Sequence, residues 1–305
     1  MEHIAAGAGC TGEVELGGPY DFAATVSGFR RWGDDLVDRW DGAVLRRVLP
    51  TTFGPVAVAC ENAGSIAAPR LRIIVDDPAH LAAGVTALLA TLVQAPPAFA
   101  ALRDSDPVIA RLDELHPGVR PVLHSDLFIS LVRAISAQQV NLRWAATTRS
   151  RLALAFGERH EVAGGEVMRL DAERLSHVDP AELRALQFTT RKAEYIVGAA
   201  AEVAGGGLDL EELRGLADEE VIARVIRLRG QGRWSAEWLL ARTLGRPRVV
   251  AGDLGVRKAV RAAYRRGGGE LPGEDEVRRL TAHWGDAAGI AQQLLLHSLT
   301  EGDLA

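Results

Sequence analysis

The chain has 305 residues, 48% hydrophobic and 25% charged, with 35 Lys or Arg against 40 Asp or Glu for a formal net charge of −5. That length suits two or three domains, and no apolar run is long enough to span a bilayer. Cys10 and Cys60 are the only cysteines, which excludes a disulfide framework and a four-thiolate iron–sulfur cluster, and no HExxH, CxxC or clustered His offers a metal site.

The first 22 residues carry neither a basic start nor a sustained apolar stretch, so no signal peptide and a cytoplasmic protein are expected. Residues 14–92 read as a mixed α/β unit. "VLRRVLPTTFGPVAVACENAG" and "RLRIIVDD" are β-rich runs separated by turn residues, and "AHLAAGVTALLATLVQA" has apolar residues at helical spacing. From residue 93 onward the pattern is helical. "SDLFISLVRAISAQQ" opens on a Ser/Asp cap and sets Leu127, Leu131, Val132 and Ile135 on one face. A second helix runs from Val140 to Phe156 and stops at Gly157. "DPAELRAL", "TTRKAEYIVGAAAEV", "DEEVIARVIRL", "EDEVRRLTAHWG" and "DAAGIAQQLLLHSL" are further helices, while "GGGLD" and "GGGEL" are loops.

The charge is unevenly spread. Between Arg224 and Arg266 twelve Lys or Arg meet two acids, Glu237 and Asp253, a balance of +10, and Leu127–Gly157 holds four arginines and no acid. Two basic segments on an acidic chain point to a polyanion site on one face; the competing reading of each arginine is a solvated helix face. Lysine is nearly absent, with Lys192 and Lys258 alone among the basic residues.

The stretch "LRGQGRWSAEWLLARTLGRPRVVAGDLGVRKAV", residues 228–260, carries the chemistry. Gly230 and Gly232 permit a tight turn between "DEEVIARVIRL" and "RWSAEWLLARTLG", a helix–hairpin–helix. The second helix presents unpaired N–H groups and the positive end of its dipole, where a phosphate can sit without a base contact. A G-x-G between helices is a weak signal alone, and no preceding strand or third glycine makes it a dinucleotide fingerprint. Asp253 stands just before a helical pattern. It reads as an N-cap worth ~1 kcal/mol and equally as a carboxylate at the mouth of a cleft, a fixed position that suits electrostatic catalysis. Trp234 and Trp238, at i and i+4, share a helix face, where core packing is the competing reading.

Together these motifs resemble the helix–hairpin–helix (HhH-GPD) DNA glycosylases, and within them the 3-methyladenine DNA glycosylase II (AlkA-like) group. "LRGQGRWSAEW" matches the family hairpin, "GDLGVRKAV" the catalytic-aspartate segment, "RAISAQQVN" the Gln-Gln element, "RKAEYI" a further helix, and "PYDF" the start of the N-terminal domain. The resemblance covers residues 19–300. It implies a mainly α fold of two helical lobes with an α+β N-terminal domain built on a small antiparallel sheet. The domains expected are 1–92, then a lobe of 93–126 with 231–305, and a lobe of 127–230 ending in the hairpin.

The resemblance also implies flipping of a damaged nucleotide from duplex DNA and hydrolysis of its N-glycosidic bond, with Asp253 as the catalytic carboxylate. Trp234, Trp238, Gln138 and Phe29 would border the base, and aromatic rings attract cationic alkylated purines by ~0.5–2 kcal/mol each. Gln139 would be the wedge that fills the vacated stack. Gly230, Gly232, Arg233, Ser235 and Arg257 would contact DNA. Backbone carbonyls of Ile226, Leu228 and Gln231 would hold a monovalent cation, and no other cofactor is expected. Members that also cut the strand use a hairpin lysine; Trp234 stands there in this chain, so no lyase activity is expected. A monomer is expected, acting on double-stranded DNA away from any membrane.

The sequence departs from the family pattern at Gln231, where an apolar residue is usual, and at Arg229, where proline is common. Leu299 stands where the best-known members stack a tryptophan on the base, and "WGDAAGIAQQ" lacks the usual W-R-S-Y type segment. Two alternatives stay open: a weakly active or non-catalytic DNA binder, and a glycosylase for neutral lesions such as hypoxanthine or uracil.

Overall fold

A computed structural model describes residues 5–6, 10–265 and 269–304. The N-terminal domain comprises β1 (Ala5–Ala6), β2 (Thr11–Glu15), α1 (Phe22–Val26), α2 (Gly28–Arg31), β3 (Asp38–Trp40), β4 (Val44–Thr51), β5 (Gly54–Asn62), β6 (Arg70–Val75) and α3 (Leu81–Leu89). The strands form one antiparallel sheet in the order β1-β2-β6-β5-β4-β3. Alternation along β4 and β6 sends Leu45, Leu49, Leu71 and Ile73 to one face, where they meet Tyr20, Phe22, Val85 and Leu88. Gly84 lets α3 lie close on the sheet, since a Cβ there would stand 2.9 Å from Val75 Cγ1.

The rest is helical apart from one hairpin. In chain order it comprises α4 (Pro97–Ser105), α5 (Pro107–Leu115), α6 (Leu127–Ala137), α7 (Leu142–Phe156), the hairpin β7 (Glu158–Val162) and β8 (Gly165–Arg169), α8 (Ala172–Ser176), α9 (Pro180–Ala185), α10 (Thr190–Ala204), α11 (Leu210–Gly215), α12 (Asp218–Val225), α13 (Arg233–Arg242), α14 (Leu254–Tyr264), α15 (Glu274–Thr281) and α16 (Ala288–Glu301). Asp caps recur at α1, α5, α6, α8, α9, α11 and α14, each carboxylate accepting a first-turn N–H. The architecture is the mainly helical, two-lobed one with a small antiparallel-sheet domain expected from sequence.

Two helical cores define the lobes. One gathers Leu127–Ile135, Leu152, Ile196 and Val221–Val225, and it includes Ala236, Leu239 and Leu240 of α13. The other joins Phe99–Val119 to Val256–Ala263 and Trp284–Leu295. The division expected at residue 230 therefore falls later, because the apolar face of α13 packs on α6 and α12 rather than on the C-terminal helices. The strands β7 and β8 were not anticipated; their Val162 and Val167 lean on Ala57 and Ala59 of the sheet. The "GGGEL" loop lies partly outside the described residues.

A buried ionic network ties the N-terminal domain to α6 and α7. Arg133 bonds Asp35 at 2.8 Å and Asp38 at 2.9 Å, Arg47 bonds Asp38 at 2.6 Å, and Arg149 bonds Asp35 at 2.9 Å. Burial pushes the Asp38 carboxyl up, but Arg47, the nearby His124 and Arg133 outweigh it and hold it well below the usual carboxylate range. Among the described residues no helix is long and apolar enough to cross a membrane, and no group of three His, Cys, Asp or Glu could hold a metal ion.

Candidate functional site

The hairpin between α12 and α13 has the backbone that its glycines require. Gly230 sits at φ +83°, and a Cβ there would lie 2.0 Å from Tyr195 Cδ2, so the turn is pressed onto the ring of α10. Gly232 caps α13 with no side-chain acceptor, which leaves the first-turn N–H groups for an outside ligand. Gln138 Nε2 donates to Gly230 O at 2.6 Å, so this side chain ties the α6–α7 junction to the hairpin. Gln139 is exposed in that junction and adopts a left-handed φ of 54°, which a non-glycine residue rarely does.

The other expected DNA-facing residues are placed less uniformly. Arg233 is held by Glu219 and Glu237, both at 3.1 Å. Arg257 donates to Pro272 O at 2.7 Å, and the Ser235 side chain is buried. The Leu228 carbonyl accepts the Gln231 N–H, while Ile226 is exposed at the end of α12. Gln231 is only 8% exposed, and neither its side-chain O nor its N finds a partner. The carbonyl set around the turn contains no carboxylate, which suits a monovalent rather than a divalent cation.

Much of the +10 segment is neutralised from outside its own sequence. Arg224 pairs with Glu212, Arg246 with Asp218, and Arg248 with Asp218, Glu219 and Glu237. Glu237, 1% exposed, carries Arg233, Arg248 and Arg278 on one carboxylate oxygen. Among the described residues of the segment Arg227, Arg242, Arg257, Lys258 and Arg261 have no carboxylate in ion-pair contact.

Asp253 stands where its N-cap reading puts it. It is the N-cap of α14, where Oδ1 accepts the Val256 N–H at 3.0 Å. Oδ2 accepts Trp234 Nε1 at 3.1 Å and Trp238 Nε1 at 3.3 Å. The two indoles stand edge to face with centroids 6.5 Å apart. Gly255 lets α16 approach: a Cβ there would meet Asp253 Oδ1 at 3.0 Å and Leu296 Cδ2 at 3.3 Å. The half-buried carboxylate is thus fixed by three donors beside the hairpin, and a carboxylate so held is suited to stabilising positive charge without reorganising.

One neighbour of Asp253 and the two indoles was not singled out from sequence. Arg242 follows Trp234 and Trp238 on the same face of α13, its guanidinium 5.2 Å from the Trp238 ring centroid and its Nη2 2.5 Å from Gln293 Oε1. Burial pulls its pKa down to about 10 against the pull of the Asp253 charge, so it stays a cation at neutral pH. The signal was the i, i+4, i+8 spacing, hidden among twelve basic residues. Phe29 is buried at 8% exposure, with Arg47 and Arg133 over its ring at 5.3 and 5.7 Å and His124 at 6.2 Å. Its ring is therefore packed into the domain junction. Leu299 is half-buried against the C-terminal core, so this wall of α16 is aliphatic. Of the two lysines, Lys192 donates to Ser136 O at 2.8 Å and Lys258 is exposed on α14; neither lies in the hairpin.

Comparison with known proteins agrees with this arrangement. The family model for HhH-GPD superfamily base excision DNA repair proteins matches residues 132–286, just over half the chain. A Bacillus subtilis DNA-3-methyladenine glycosylase is 28% identical over 188 residues, covering 61% of each chain. A second B. subtilis relative is 30% identical over 192 residues, so the chain spans 61 and 65% of the length of these relatives. Over nearly the whole chain the fold is similar to the 3-methyladenine DNA glycosylase from Archaeoglobus fulgidus, with a TM-score of 0.83, 25% identity and 94 and 98% coverage. It is also similar, in fold alone, to the Clostridium acetobutylicum 8-oxoguanine glycosylase/lyase, with a TM-score of 0.75 at 15% identity, covering 99% of this chain and 98% of that one. The chain belongs to the HhH-GPD superfamily of base excision DNA repair proteins.

Proposed function

We propose that the protein is a monofunctional DNA glycosylase that hydrolyses the N-glycosidic bond of alkylated purines, of the 3-methyladenine or 7-methylguanine type, in double-stranded DNA. The observation that carries this reading is the triple anchoring of Asp253 by Val256 N–H and the Trp234 and Trp238 indoles, beside uncapped hairpin amides. Those amides and the free cations hold the phosphates, Gln139 fills the vacated stack, and the flipped sugar meets Asp253. The C1′–N bond breaks with its electron pair on the base. Asp253 offsets the charge of the oxocarbenium-like sugar, a water oxygen bonds to C1′, and that water gives its proton to solvent, which leaves the abasic sugar neutral. A cationic methylated base departs uncharged, so this route asks little of the protein beyond the carboxylate.

Trp234 in the place of the family's strand-cutting lysine supports release of a base without strand cleavage. The carbonyls of Ile226, Leu228 and Gln231 would hold a monovalent cation, whose charge would add to the attraction for phosphate. One duplex and one flipped base require a single subunit. The test is release of free base from methylated duplex DNA by the wild type and by Asp253→Asn, with strand breaks scored before and after alkali. Release by the wild type alone, with breaks only after alkali, is expected. Tight DNA binding by both proteins without release from any methylated or neutral lesion would leave the non-catalytic binder.

A further inference from the structure

We propose that Lys192 is a positioning residue for the DNA wedge: from α10 it clamps the C-terminal end of α6 and so holds Gln139 in the conformation that fills the stack beside a flipped nucleotide. The proposal rests on the glycosylase reading, in which Gln139 is the wedge, and adds the residue that sets it.

The junction between α6 and α7 is short and strained. α6 ends at Ala137, and α7 is capped by Asn141, whose Oδ1 accepts the Trp144 N–H at 2.8 Å. Residues 138–140 make the turn, and Gln139 within it is exposed with a φ of 54°. A non-glycine residue keeps a left-handed backbone only where its surroundings over-determine it. The last carbonyls of a helix have no partner inside the helix. Here the Ser136 carbonyl accepts Lys192 Nζ at 2.8 Å, and the Ser136 hydroxyl accepts Arg149 Nη1 at 2.9 Å. A cation also suits this negative end of the helix dipole. Lys192 is half-buried and, among the described residues, has no carboxylate in ion-pair contact; Glu194, two residues on, pairs with Arg229 at 3.6 Å instead. Its ammonium is therefore committed to the end of α6.

The same face of α10 supports the hairpin. Lys192 and Tyr195, at i and i+3, share that face, and the Tyr195 ring lies against Gly230, where a Cβ would stand 2.0 Å from Cδ2. Gln138 Nε2 donates to Gly230 O at 2.6 Å and closes the ring of contacts. The Gln138 bond alone would let the turn pivot about one point. Lys192 supplies a second point, so the direction of Gln139 relative to the hairpin is fixed from one helix. A wedge held in this way loses less freedom on entering the stack.

The experiment measures affinity for a duplex with one central tetrahydrofuran abasic analogue and for the intact duplex of the same sequence, by fluorescence anisotropy at fixed salt. The proteins are the wild type, Lys192→Met, Lys192→Arg, Gln139→Ala and the Lys192→Met, Gln139→Ala double variant. The analogue offers a gap to fill and no base to release, so the comparison decides on Lys192 whether or not catalysis is seen. Methionine keeps the length of the lysine stem without its donors. The expected result is that Lys192→Met lowers the preference for the abasic duplex about tenfold in the wild-type background and within about twofold in the Gln139→Ala background, because the two residues act as a unit. Affinity for the intact duplex is expected to stay within about threefold, and Lys192→Arg to recover part of the preference. Equal losses in both backgrounds would overturn the proposal, because Lys192 would then act through packing rather than through Gln139. A parallel loss on the intact duplex would also overturn it, by making Lys192 an ordinary phosphate ligand, as would an unchanged preference. A wild type that does not favour the abasic duplex at all is a different outcome, which removes the wedge reading of Gln139 and this proposal together.

Discussion

Gln231 offers a sharp test of how the hairpin is built. Its side chain is buried in the turn, and both polar atoms of its amide lack partners. A buried polar group without a partner costs about 1–3 kcal/mol relative to an apolar one of the same shape. Gln231→Met is close to isosteric and removes both atoms, so stability is expected to rise by that amount. For 305 residues the unfolding entropy is about 0.6 kcal/mol/K, so the melting temperature is expected to rise by roughly 2–5 °C. Circular dichroism melts of the two proteins measure it directly. DNA affinity is expected to stay within about threefold, because the proposed phosphate contacts run through the backbone of the turn. An unchanged or lower melting temperature would refute the reasoning, since the amide must then be satisfied in solution.

Three further outcomes follow from the same geometry. Trp238→Phe keeps a ring but removes one of the two indole donors to Asp253; base release is expected to fall about tenfold, the equivalent of ~1.4 kcal/mol for a charge-assisted bond, in single-turnover assays at saturating protein. Gly230→Ala sets a methyl against Tyr195 at positive φ and is expected to cost at least ~2 kcal/mol in urea unfolding, with Tyr195→Ala restoring only the part due to overlap. Burial pushes the His124 pKa down to about 4 from an ordinary 6.5, against the pull of the Asp38 carboxylate 3.8 Å away. The unfolded chain therefore binds the extra proton first, so this stability is present above pH 6.5 and drains as pH falls toward 4. Wild type is expected to lose about 2 kcal/mol between pH 7 and pH 5 that His124→Gln does not lose, measured by urea unfolding at the two pH values.

The periodic elements were legible because their signals are local. The apolar face at Leu127, Leu131, Val132 and Ile135, the Asp caps and the glycine after Phe156 each specify a helix within a dozen residues. Asp253 was legible for the same reason: a cap can be read from its neighbours. Its second oxygen was not, because Trp234 and Trp238 reach it across 19 and 15 residues of chain. Arg242 was hidden for the converse reason, since twelve basic residues look alike until the fold sorts the paired from the free. Phe29 shows the limit of an aligned aromatic. Its position in the N-terminal domain was read correctly, but Arg47 and Arg133 from two domains close over its ring. The late domain division has the same origin, because which core takes α13 depends on helices far away in sequence.

That sorting also bears on how an acidic chain would present the proposed polyanion site. The basic excess of residues 224–266 does not survive folding as a uniform surface: Glu212, Asp218, Glu219 and Glu276 come from outside that segment to pair with it. A guanidinium held by carboxylates is a poor phosphate ligand, because binding phosphate means breaking the pair first. What remains around the hairpin is the uncapped start of α13 and a few cations, Arg227, Arg257, Lys258 and Arg261. Amides of fixed direction define where a phosphate sits, and the few free charges draw it there without spreading attraction over the whole face. The paired arginines then serve the protein itself. Glu237 and its three guanidiniums brace the first turn of α13, which carries both the amides and Trp234. The proposed phosphate site and the carboxylate Asp253 are therefore set by one helix, which fixes their separation.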